Sequence, residues 1–181
     1  MKKIIIAIIC LLGANTIFSQ KLMTRAGEIG FEASMPAFEE IAAKNKTVSC
    51  ILDESNGDVA ALALIKAFKF KSPLMEEHFN ENYLESSQYP KATFKGKILN
   101  FDASKLLAVK KSYDVEGDLT IHGVTKKIKS KMMFSSAAGK VVVTSSFSVK
   151  PQDYNIQIPS LVKNKIAEDV KIDLNFVLGD K

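Results

Sequence analysis

Apolar and polar side chains alternate with a period of two through most of this chain, and that constrains the fold more than any single motif. Successive side chains of a strand point to opposite faces, so period two marks sheet with one buried face. "SYDVEGDLTIHG" sets Tyr113, Val115, Gly117, Leu119 and Ile121 against Asp114, Glu116, Asp118, Thr120 and His122. "VTKKIKSKMMF" sets Val124, Ile128, Met132 and Phe134 against Lys127, Lys129 and Lys131. The same pattern groups Ile29, Phe31 and Ala33, then Val48, Cys50 and Leu52, then Phe94, Gly96 and Ile98. Val141, Val143, Phe147 and Val149 form another face, as do Val170, Ile172, Leu174, Phe176 and Leu178. "GDVAALALIKAFKF" is apolar on both sides, which predicts a strand covered twice.

Glycine turns punctuate these runs. "SNGD" carries Asn-Gly, a strong hairpin signal, and "HGV" and "AAGK" are further turns. Short strands at this spacing, joined by tight turns, predict an antiparallel barrel or sandwich. An outer-membrane pore would turn its apolar face outward to lipid. Here the opposite face alternates acids and lysines, which favours a barrel with an apolar interior. Such a barrel is either filled by side chains or holds one small ligand, and alternation alone leaves both open. Gly96 and Gly117 on the inner face leave room or mark bends.

One segment breaks the period. "SPLMEEHFNENYLESS" offers Ser72 as N-cap, Pro73 at the first helical position, and Glu76 and Glu77 at the positive end of the dipole. Leu74, Met75, His78, Phe79, Asn82 and Tyr83 share a face at helical spacing. A shorter helical turn is predicted within Pro36–Lys44.

"MKKIIIAIICLLGANTIFSQ" has two lysines, an apolar run too short to span a bilayer, then small and polar residues. That is the pattern of a secretory signal, predicted to occupy residues 1–19 and to leave a single domain at 20–181. The expected location is periplasmic or secreted, with no stable membrane span after cleavage. Removing Lys2 and Lys3 leaves 23 of the 25 bases facing 20 acids, so the net charge falls from +5 to +3. The remaining lysines are scattered among acids rather than drawn into a stripe, so no nucleic-acid partner is expected. Cys50 is the one cysteine left and cannot form an internal disulfide, so the core must supply the stability.

Little here supports catalysis. His78 and His122 are the only histidines and sit on separate elements. His122, beside a turn glycine on the charged face, is predicted to be an exposed turn residue. Zinc needs three or four convergent ligands, and Glu77, His78 and Glu81 diverge around a helix. No nucleophile elbow, paired-cysteine or phosphate-loop motif is present. The chain is expected not to be an enzyme, and to need neither metal nor cofactor.

Three stretches carry a resemblance: "SPLMEEHFNENYLESSQYPKATFKGKI", "YDVEGDLTIHGVTKKI" and the closing "EDVKIDLNFVL". They resemble the YceI-like family of exported, lipocalin-like barrels that hold polyisoprenoids or other long lipids. The resemblance implies a mainly β protein, an antiparallel lipocalin-like β-barrel with a covering α-helix, hollow rather than filled. "VKPQDYNIQIP" departs from the family pattern: Asp153, Tyr154 and Ile156 fit its turn, but Lys150 and Pro151 stand where an arginine is usual. The expected partner is a long-chain isoprenoid or other lipid. The residues expected to contact it are Phe31, Phe79, Tyr83, Phe94, Ile98, Tyr113, Val115, Leu119, Met132, Phe147, Leu174 and Phe176. The competing reading is a ligand-free β-barrel module acting through protein–protein contacts. Nothing in the sequence compels or forbids a homodimer.

Overall fold

The structure, a computed structural model, describes residues 21–36, 38–106, 110–138 and 140–180. The expected signal segment, 1–19, lies outside the described residues. The strands are β1 (Lys21–Ser34), β2 (Ala42–Asp53), β3 (Asp58–Leu64), β4 (Lys69–Phe70), β5 (Lys91–Ile98), β6 (Lys111–Ile121), β7 (Val124–Ala137), β8 (Lys140–Val149) and β9 (Ile166–Asp180). Helix α1 (Pro73–His78) lies between β4 and β5. All pairings are antiparallel, in the order β1-β9-β8-β7-β6-β5-β3-β2, and β1 pairs back onto β2. The sheet therefore closes into an eight-stranded barrel, with the two-residue β4 added beside β2. Closure removes the exposed edges that an open sheet would present to other chains.

The alternation behaves as its period requires. Asp114, Glu116 and Asp118 lie opposite Lys131, Lys129 and Lys127 in the β6–β7 register. Two of these pairs meet outside the barrel, Lys131–Asp114 at 2.7 Å and Lys129–Glu116 at 2.6 Å. Tyr113, Val115 and Leu119, which alternate with those acids, are buried. β3 is a correction. It is not covered twice: Ala60 and Leu64 on its outer side are exposed. Among the described residues of Pro36–Lys44 no helix forms, and the turn there is closed by the Phe38 N–H donating to the Met35 carbonyl at 3.2 Å. Ala42–Lys44 already belongs to β2, since pairing with β1 and β4 satisfies that backbone.

Two irregularities shape the barrel. The β1–β2 register shifts between Thr24 and Gly27 and again between Gly27 and Ile29. The second shift lets both Asn45 and Val48 face inward across three residues of β2. Asn45 is fully buried, and its amide is satisfied. Its Nδ2 donates to the Leu64 carbonyl at 2.9 Å, and its Oδ1 accepts from the Thr47 N–H at 2.8 Å. A buried amide with its main partners in place specifies the bulge. Beyond that point β2 pairs with β4 rather than β3, so β2 and β3 part toward one end.

The other end is solid. Leu52, Ile98, Leu106, Val115, Phe134, Phe176 and Leu178 are almost wholly buried there. Cys50 belongs to this core, and burial pushes its thiol up to about 12, so it remains a neutral, inert SH group. Gly96 and Gly117 face each other across β5 and β6. The Phe94 ring fills the space they leave. A Cβ on Gly117 would lie 2.5 Å from the Gly96 Cα and 2.6 Å from the Phe94 ring. These glycines thus admit an aromatic plug rather than a ligand.

Candidate functional site

At the open end, the connections that follow β1, β3, β6 and β8 enclose a cavity of about 320 Å³. Four phenylalanines wall one side: Phe31 from β1, Phe68 and Phe70 around β4, and Phe79 just after α1. Phe31 and Phe79 stack at 5.3 Å between centroids, and Phe70 meets both rings edge-on or tilted at 5.6 and 5.1 Å. Ile121, Val149, Tyr154, Ile156 and Ile158 form the facing side, and Ile166, Val170 and Ile172 of β9 complete it.

The helical segment is built as its sequence implies, with one change. Ser72 caps α1 by accepting from the Met75 N–H, and Pro73 occupies the first turn. Glu76 folds back to accept from Lys69 at 2.5 Å and from the Phe70 N–H at 3.2 Å, tying α1 to β4. The hydrogen bond to Lys69 holds its carboxyl below the usual range. From Phe79 to Tyr83 the helix widens into a π turn, with the Leu84 N–H donating to the Phe79 carbonyl at 2.9 Å. Widening changes which side chains share a face. Met75, His78, Phe79 and Tyr83 line the cavity, whereas Leu74 and Asn82, expected beside them, are exposed.

His122 departs from the exposed turn residue the sequence suggests. It and Gly123 form a two-residue turn with positive φ at both positions, 50° and 73°. The imidazole folds under that turn, and its side chain is only 9% exposed. Nδ1 donates to the Tyr154 carbonyl at 3.1 Å, Nε2 lies 2.7 Å from a Glu85 carboxylate oxygen, and the Tyr89 ring packs edge-on at 4.4 Å. One side chain thus pins three segments of the rim. Its partners are spread across the sequence, so no local pattern signals it. His122→Ala strands the Tyr154 carbonyl and should cost about 1–3 kcal/mol, read as a lowered denaturation midpoint at unchanged m.

The residues expected to contact a ligand fall into three layers. Phe31, Phe79 and Tyr83 line the cavity. Phe94, Leu119 and Phe147 pack just beneath, against Ile65, Leu84, Tyr154 and Ile156 of its lining. Ile98, Tyr113, Val115, Met132, Leu174 and Phe176 belong to the main core cluster. The expected contacts left out Ile65, Phe68, Phe70 and Lys165, and also Tyr154 and Ile156, which the sequence reading placed in the family's turn but not against a ligand. Apolar residues inside connections were the available signal. Tyr154 is buried, and burial first, then the Asp153 charge, raises its phenol above the ordinary value. Its hydroxyl therefore stays protonated and able to donate.

A family model described as the YceI-like domain matches residues 21–178. No curated protein matches. Among solved structures, a polyisoprenoid-binding domain from Saccharophagus degradans is similar at 17% identity and a TM-score of 0.74, covering 90% of this chain and 99% of its own. Burkholderia cenocepacia BcnA is similar at 16% identity and TM-score 0.70, covering 84% of this chain and 96% of its own. A Campylobacter jejuni YceI protein is similar at 16% identity and TM-score 0.60, covering 81% and 88%. At such identities the likeness establishes a shared fold.

Proposed function

We propose, from the premise that this chain belongs to the YceI-like family, that it is an exported binding protein that holds a lipid with a long apolar chain in the mouth of its barrel. One observation carries this reading: an open cavity of about 320 Å³ walled almost entirely by aliphatic and aromatic side chains. Its size lies at the lower end of the roughly 300–1,000 Å³ of small-molecule sites. Each methylene moved from water onto such a wall is worth about 0.8 kcal/mol, so affinity accumulates along the chain. The name of the Saccharophagus degradans relative makes an isoprenoid a natural first candidate.

The test is direct. Protein recovered from the exported fraction is extracted with organic solvent, and the extract is analysed by mass spectrometry. One lipid per chain is expected, on a polypeptide that begins near Gln20. No lipid in the extract, and none taken up on reconstitution, would leave a barrel acting through its outer surface.

A further inference from the structure

We infer that the cavity selects single-chain amphiphiles whose head is an anionic oxygen acid, a carboxylate or a phosphate; this rests on the binding reading above. His78, Tyr83, Tyr154 and Lys165 are the polar side chains in the lining. All four can donate hydrogen bonds, and among the described residues none of their side chains has a partner. The Lys165 backbone N–H bonds Val162, and the Tyr154 carbonyl accepts from His122, but the ammonium and the hydroxyl are unengaged. Tyr154 is 2% exposed and lines the cavity, whereas His78 and Lys165 are exposed at its border. A ligand oxygen in the cavity would give these donors an acceptor.

The surrounding charges point the same way. Lys69 is taken by Glu76 and Lys71 by Glu40, whereas Lys165, exposed on the lining, has no acid partner among the described residues. Glu168 and Asp169, the nearest acids along the chain, are exposed on β9, and the Asp153 charge acts on the Tyr154 phenol, so the preference for an anion rests on Lys165. A cation and hydroxyl donors lining one cavity suit an oxyanion, because charge-assisted hydrogen bonds are about twice as strong as neutral ones. The apolar walls take one chain, and the cavity's modest volume leaves little room for a second.

Isothermal titration of the delipidated mature protein with palmitic acid, hexadecyl phosphate and hexadecanol, below their aggregation limits, tests the inference. At least one acid should bind about tenfold tighter than the alcohol, and the stronger of the two identifies the head. Lys165→Gln should bring the acid-to-alcohol ratio toward one, and Lys165→Arg should restore it. A generally loosened fold would weaken all three ligands together and leave the ratio alone. Equal binding of acids and alcohol, or a ratio that survives Lys165→Gln, overturns the inference while the container stands. Failure of all three to bind overturns both.

Discussion

Val115→Asp should abolish folding of the barrel, whereas Ser148→Asp should barely move its melting curve. Val115 is 1% exposed, opposite Ser130 on β7 and Ile98 on β5. Its neighbours in the core are apolar and include Tyr113, Met132 and Phe176. A carboxylate there would have no partner, and burying it costs several kcal/mol. Domains of this kind are stable by roughly 5–15 kcal/mol in total, so such a change removes much or all of the margin. Ser148 lies outward on β8, exposed and in register with Lys171. An acid there meets water and a cation, and should stay within about 0.5 kcal/mol of the parent. Circular dichroism during urea titration separates the outcomes. A folded Val115→Asp protein would mean that water reaches the closed end.

The second large effect concerns binding rather than folding. Ala92→Phe should nearly abolish lipid uptake while the protein stays folded. Ala92 is half-buried on β5, two residues before Phe94, and its side chain borders the cavity. A ring at this position grows into empty apolar space and gains contacts there, so stability should hold or rise. The volume it takes is volume the ligand needs, and uptake should fall by at least about tenfold, since each methylene denied the wall forfeits about 0.8 kcal/mol. Gly117→Leu is the instructive contrast. There the first added carbon would already meet the Gly96 backbone and the Lys95 carbonyl oxygen at 2.5 Å. That variant reports overpacking, not binding. Unimpaired uptake by Ala92→Phe, with the fold intact, would place the ligand somewhere other than this cavity.

What the sequence determined by itself follows from local rules. Period two in β6 and β7 is enough to place Val115 and Met132 inside and Lys129 and Lys131 outside, because strand geometry allows no other assignment. Ser72 and Pro73 mark the start of α1 through backbone chemistry confined to a few residues. Tertiary structure decided which part of the interior is hollow. Alternation says that a side chain points inward but not how far along the barrel axis it sits. Phe31 and Phe176 therefore read alike in sequence, yet one lines the cavity and the other packs into the closed end. The opening depends on β2 leaving β3 for β4 beyond the Asn45 bulge, a pairing between segments distant in the chain. The burial of His122 depends likewise on Glu85 and Tyr154, which only the closed barrel brings to it. Hydrophobic burial is non-directional, so it selects an inside face from local pattern alone. Directional bonds and ring packing between remote segments set the shape of the space that remains.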